Sequence, residues 1–125
     1  MKFPDGFSNH LKSIAFRFKW QKIQDVAEAA CGVYIFIHKR SYLYVGKGAG
    51  SDGVRERLLA HYNGTHNKEL ERNLKALNGT VRVAVIECES GDVDDLEKSL
   101  IRHLQPSCND IRYQDYQPSE KELEI

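Results

Sequence analysis

The chain has 125 residues, 41% of them hydrophobic and 29% charged, a balance that suits one globular domain around a single core. Eighteen basic and eighteen acidic side chains cancel, which argues against a strong non-specific polyelectrolyte binder, and the apolar runs are far too short to span a bilayer. Cys31, Cys88 and Cys108 are odd in number and lack CxxC spacing, so they suggest neither a disulfide framework nor a zinc site and read as small core residues.

At the N-terminus, Met1-Lys2-Phe3-Pro4-Asp5-Gly6 contains no signal-peptide hydrophobic stretch, and a cytoplasmic location without membrane contact is expected. Residues 1–30 read as an N-terminal extension that is helical over 11–30, although Phe16-Arg17-Phe18-Lys19-Trp20 alternates with the period of a strand. Residues 1–22 are basic: Lys2, Lys12, Arg17, Lys19 and Lys22 stand against Asp5 alone. Residues 111–125 form a polar, acidic tail. The mixture of basic and aromatic residues at 17–20 suits a nucleic-acid surface, and it suits equally an amphipathic segment covering a sheet.

Between these ends lies the core, residues 31–110. Residues 32–38 and 42–46 are rich in β-branched and aromatic types around Lys39-Arg40-Ser41, which predicts an antiparallel hairpin. Aligning Val33, Ile35 and Ile37 with Leu43 and Val45 on one face sets Tyr34 opposite Tyr44 and Phe36 opposite Tyr42. After a glycine-rich loop, residues 54–62 form a helix with Val54, Leu58 and Tyr62 as its apolar stripe and Arg57 and His61 together at its margin. A second helix covers 66–77, ended by Asn78-Gly79, and Val81, Val83 and Val85 alternate as a third strand. The last helix starts at Asp94 or Asp95, either of which can cap it, and runs to Leu104 before Pro106. At about 100° per residue, Glu97 falls inside the apolar arc of Leu96, Leu100, Leu104 and Ile101. A carboxylate there is costly unless it is paired or holds a metal.

Singly, each of these polar residues has an ordinary explanation. Tyr34 and Tyr44 can pack across a hairpin, Arg57 and His61 can be solvated, and Glu97 can serve the helix dipole. Their order along the chain is more specific. Gly32-Val33-Tyr34, then Tyr44-Val45-Gly46-Lys47, Arg57-Leu58-Leu59-Ala60-His61, Leu96-Glu97-Lys98-Ser99-Leu100-Ile101 and Pro106-Ser107-Cys108-Asn109 together resemble the GIY-YIG nuclease family.

The resemblance implies an α+β fold, a small three-stranded antiparallel sheet flanked by helices, and magnesium- or manganese-dependent hydrolysis of DNA, duplex or branched, with one ion per site. By position, it implies Glu97 as the metal ligand, Arg57 on the scissile phosphate, Tyr34 as general base beside the attacking water, and Tyr44 and His61 as completing the catalytic set. Gly46, Lys47 and Asn109 are implied on the substrate side. A monomer or weak homodimer is expected, and a catalytically silent DNA-binding or structural module with the same fold is the alternative. The stretch Gly48-Ala49-Gly50-Ser51-Asp52-Gly53 is longer than in short family members, so choosing Arg57 over Arg55 rests on spacing to His61. Chemically the set is apt: magnesium needs only one or two carboxylates, and arginine can fork onto two phosphate oxygens.

Overall fold

The computed structural model describes residues 12–27, 30–49, 53–64, 67–77 and 79–110. Four strands, β1 (Lys12–Arg17), β2 (Gly32–His38), β3 (Ser41–Gly48) and β4 (Arg82–Glu87), form one antiparallel sheet in the order β1-β4-β2-β3. The helices are α1 (Trp20–Ile23), α2 (Val54–Asn63), α3 (Lys68–Ala76) and α4 (Val93–Leu104), the last preceded by a 3-10 turn over Ser90–Asp92. The α+β architecture is as expected, with one strand more than the sequence reading gave.

That extra strand corrects the helix expected over residues 11–30. Lys12–Arg17 lies along β4 with Ile14 opposite Val85 and Phe16 opposite Val83, and only the four residues of α1 are helical after it. The period-two alternation prevailed because the outer edge of β4 offers a full row of backbone partners, while Phe16 and Phe18 reach the core on one side. A helix here would have left that row open.

The central sheet separates two apolar layers. On one face Tyr34, Phe36, Val83 and Val85 pack with Ile23, Val54, Leu58 and Leu70. On the other, Val33, Ile35, Val45, Ala84 and Ile86 pack with Val93, Leu96, Leu100 and Ile101 of α4. Alternation along β2, β3 and β4 feeds both layers, which is why β2 reads as a nearly continuous apolar run.

The hairpin register differs from the sequence expectation by two residues. Tyr34 lies opposite Gly46 and Phe36 opposite Tyr44, and a β-bulge between Phe36 and Ile37 then sets Ile37 opposite Tyr42. Leu43 is the extra residue, so it joins the Phe36 layer while Val45 stays in the α4 layer, and the two do not share a face. A slip of two preserves faces, and Tyr34 and Tyr44 still project to the same side.

Smaller corrections concern the helices. Tyr62, expected in the stripe of α2, is 47% exposed, and His61 takes the buried position instead. Helix α4 begins at Val93, so Asp94 and Asp95 occupy its first turn and neither caps it. Helix α3 starts after Asn67, whose side chain accepts the Leu70 N–H at 2.9 Å, and Asn78 lies outside the described residues.

Candidate active site

β3 is an outer strand of the sheet, and its alternation sends Tyr44 and Gly46 to the α2 side and Lys47 to the α4 side. Groups from both layers can therefore meet around this single edge. On the α2 side, the Tyr34 hydroxyl is hydrogen-bonded to His61 Nε2 at 2.8 Å, and both are buried. The rings of Tyr34, Tyr44 and Phe36 each lie edge-on or tilted to a neighbour in this group, with His61 5.5 Å from Tyr34 and from Tyr44 and 5.4 Å from Phe36.

Gly46 explains the register. Its missing side chain is the space in which the Tyr34 phenol lies, and a β-carbon there would overlap the ring and its hydroxyl. The tyrosine of the first motif and the glycine of the second are thus one packing unit, joined across the strands. Such close backbone approach is a common reason for glycine inside a strand.

On the α4 side, Lys47 Nζ lies 2.5 Å from Asp94 Oδ1 and 3.8 Å from Glu97 Oε1. Asp94 is exposed, and its contact with Lys47 holds its carboxyl below the usual range. Glu97 behaves in the opposite way: its side chain is only 13% exposed, and burial raises its pKa despite Lys47, Lys98 and Arg57, with Asp94 adding to the rise. The carboxylate predicted inside an apolar arc does sit at that layer's margin, beside cations.

Arg57 bridges the two halves electrostatically. It is exposed on α2, lies within hydrogen-bonding reach of the Tyr34 hydroxyl, and acts on Tyr44 and Glu97 as well. Burial nevertheless dominates at Tyr34 and pushes its phenol well above the ordinary tyrosine value, Tyr44 adding to the rise and Arg57 opposing it. Tyr44 is raised for the same first reason. A resting phenolate at Tyr34 is therefore disfavoured.

Asn109 serves the backbone of β3. Its Nδ2 donates to Val45 C=O at 3.0 Å and its Oδ1 accepts the Val45 N–H at 2.9 Å, supplying the outer edge with the bonds a fifth strand would give. Arg55, the other candidate for the phosphate arginine, turns the other way, with Nη2 2.5 Å from Gln24 Oε1. Arg57, His61, Tyr34, Tyr44, Gly46, Lys47 and Glu97 are thus gathered at one edge, and Asn109 supports that edge from the chain that follows α4.

Two residues of this environment were not singled out from sequence. Asp94 read only as a cap, and its place one turn before Glu97 on the same helix face was the available signal. Asn67 donates from Nδ2 to Cys108 C=O at 2.6 Å while capping α3, so it ties the Asn109 segment to that helix. Only its type at a helix start hinted at this.

No protein-family model matches the sequence, and no curated protein matches it. Among solved structures, the chain is similar to the GIY-YIG N-terminal endonuclease domain of UvrC from Thermotoga maritima, a point mutant bound to its catalytic divalent cation. The TM-score is 0.55 at 22% identity, covering 73% of this chain and 98% of that one. The chain has the GIY-YIG fold.

Proposed function

We propose that this chain, built on the GIY-YIG fold, is a metal-dependent endonuclease that hydrolyses DNA phosphodiester bonds. The observation that carries the reading is the gathering of the Tyr34–His61 pair, Arg57 and Glu97 around the edge of β3. The similar solved domain, an endonuclease that holds a catalytic divalent cation, lends support at the level of fold.

The donor set fits a hard cation that keeps most of its water. Glu97 and Asp94 offer carboxylate oxygens, and no group of three or more His, Cys, Asp or Glu gathers among the described residues. Magnesium or manganese suits one or two carboxylates, whereas zinc in a protein cage does not. Glu97 would hold the ion, with one ion per site. When bound, it would stabilise negative charge on the phosphate and the leaving oxygen.

The protein's own groups supply the rest. Arg57, permanently charged and exposed, forks onto the scissile phosphate and gains as charge develops there. The proton of the attacking water leaves through the Tyr34 hydroxyl to His61 Nε2, so no phenolate has to accumulate. Lys47, exposed beside Asp94 and Glu97, supplies a positive charge for the DNA backbone, and Tyr44, Gly46 and Asn109 hold the shape of the edge.

Incubation of the purified chain with supercoiled plasmid and with junction DNA tests this directly. Nicking or cutting with magnesium or manganese, absent in chelator and absent for Glu97→Ala, is the expected result. Binding without metal-dependent cleavage across these substrates would favour a silent DNA-binding module, and equal cleavage by Glu97→Ala would remove the proposed metal ligand.

A further inference from the structure

Trp20 and Tyr62 are 43% and 47% exposed, and neither takes part in the site described above. Their rings lie 5.7 Å apart. Phe18 backs them, 5.7 Å from Tyr62 and 4.8 Å from Phe36, so an aromatic chain leads from the surface to the ring that packs on His61. Large apolar rings exposed side by side mark a surface that meets a partner. Beside them lies a groove of about 480 Å³, with Phe18, His61 and Tyr62 among its walls and Asn63, Glu71 and Lys75 among its polar groups.

Resting on the reading that the chain acts on DNA, we propose that this groove is a subsite for an unpaired nucleobase, stacked on the Tyr62 ring with the Trp20 ring beside it. A base is a flat π-surface with donors and acceptors on its edge, and the groove offers the matching pair of features. Aromatic faces stack on any base, and the Asn63 amide carries both a donor and an acceptor for its edge. Glu71, ion-paired with Lys75 at 3.2 Å, keeps a carboxylate in the groove and so disfavours a phosphate inside it. The backbone runs outside, where exposed Lys19 and Lys22 flank Trp20 on the same short segment.

Continuity with the candidate active site selects the substrate. His61 lines the groove and is also the partner of Tyr34, so a base seated there belongs to a strand whose phosphate lies at the β3 edge. A fully paired duplex cannot place a base in the groove without unstacking it, which costs a few kcal/mol, whereas a splayed or flapped strand supplies one already unpaired. The enzyme therefore prefers branched DNA with unpaired nucleotides to continuous duplex.

The test uses the full chain with calcium in place of magnesium, and two DNAs of equal length: a continuous duplex and a splayed-arm duplex with 2-aminopurine as its first unpaired nucleotide. The expected result is quenching of 2-aminopurine and at least tenfold tighter binding of the splayed arm. Trp20→Ala and Tyr62→Ala should each shrink that preference about tenfold and restore fluorescence, as loss of one stacking partner does. Trp20→Phe and Tyr62→Phe should keep it, which decides the matter if an alanine variant does not fold.

Unquenched fluorescence in the wild type, or an unchanged preference in both alanine variants, would overturn the subsite. Equal binding of both DNAs in calcium, with both cut once magnesium is supplied, would do so too while leaving the endonuclease reading intact; failure to bind in calcium or to cut in magnesium any DNA would remove both. Self-association that disappears in Trp20→Ala, without quenching, would assign the rings to a second copy of the chain.

Discussion

Replacing Asn109 with alanine removes both hydrogen bonds that the outer edge of β3 receives from this side chain, at 2.9 and 3.0 Å, and leaves the Val45 N–H and C=O on a residue with no exposed surface. Each bond is worth about 0.5–1.5 kcal/mol, and a buried group left unmade costs about 1–3 kcal/mol. Because Asn109 is itself only partly buried, water reaches part of the gap, and we expect about 2–3 kcal/mol in total. At about 2.1 cal/mol/K per residue, a chain of this length has an unfolding entropy of about 0.26 kcal/mol/K, so Tm falls by about 8–12 °C. Urea unfolding and calorimetry measure this, and single-turnover cleavage should fall about tenfold because Tyr44, Gly46 and Lys47 ride on the loosened strand. Asn109→Asp, which keeps an acceptor for the N–H but turns a carboxylate oxygen on the Val45 carbonyl, should be at least as unstable at neutral pH. A Tm within about 2 °C of wild type for Asn109→Ala would refute the clamp.

Other consequences follow from the same geometry. Gly46→Ala forces a β-carbon into the Tyr34 phenol and should cost about 1–3 kcal/mol in urea unfolding. Tyr34→Phe, which keeps the ring and loses the hydroxyl's 2.8 Å bond to His61 and its contact with Arg57, should cost less, about 1 kcal/mol, while still depressing cleavage; the reverse order would contradict the packing unit. Arg57→Lys should lower cleavage about 100-fold by losing the fork, whereas Arg55→Ala, which breaks the contact to Gln24, should change Tm and leave turnover near wild type. Burial raises the Glu97 pKa, so the folded state binds that proton more tightly than the unfolded one. Its contribution is therefore most favourable at acid pH, below the unfolded value near about 4.3, and is lost as pH rises through the raised folded value. Glu97→Gln should raise Tm by a few degrees in chelator at pH 7 and abolish cleavage in magnesium, and a lower Tm would contradict the burial cost.

The helices and the hairpin were readable because their apolar residues recur with the right periods, and Glu97 stood out because a carboxylate has no place in an apolar arc without a cation. The hairpin register was not readable from the same pattern. A slip of two residues keeps every side chain on its face, and Leu43 is apolar enough to pack on either side, so the bulge left no mark in the alternation. The informative residue was Gly46, since Tyr34 has to cross a strand position without a β-carbon. At the N-terminus the alternation of Phe16 and Phe18 was visible, but its competition with a helical reading was decided by the open edge of β4, some seventy residues away in sequence. The pairing of Lys47 with Asp94, the link from Asn67 to Cys108 and the exposed Trp20–Tyr62 pair depend on how elements meet in space.

The most direct test of the proposed chemistry is a structure of the chain with manganese and a DNA strand. The reading predicts manganese on the Glu97 carboxylate and on an oxygen of one phosphate, with Arg57 on that same phosphate and the Tyr34–His61 hydrogen bond retained beside it. Manganese away from Glu97, or a phosphate beyond the reach of Arg57, would contradict it.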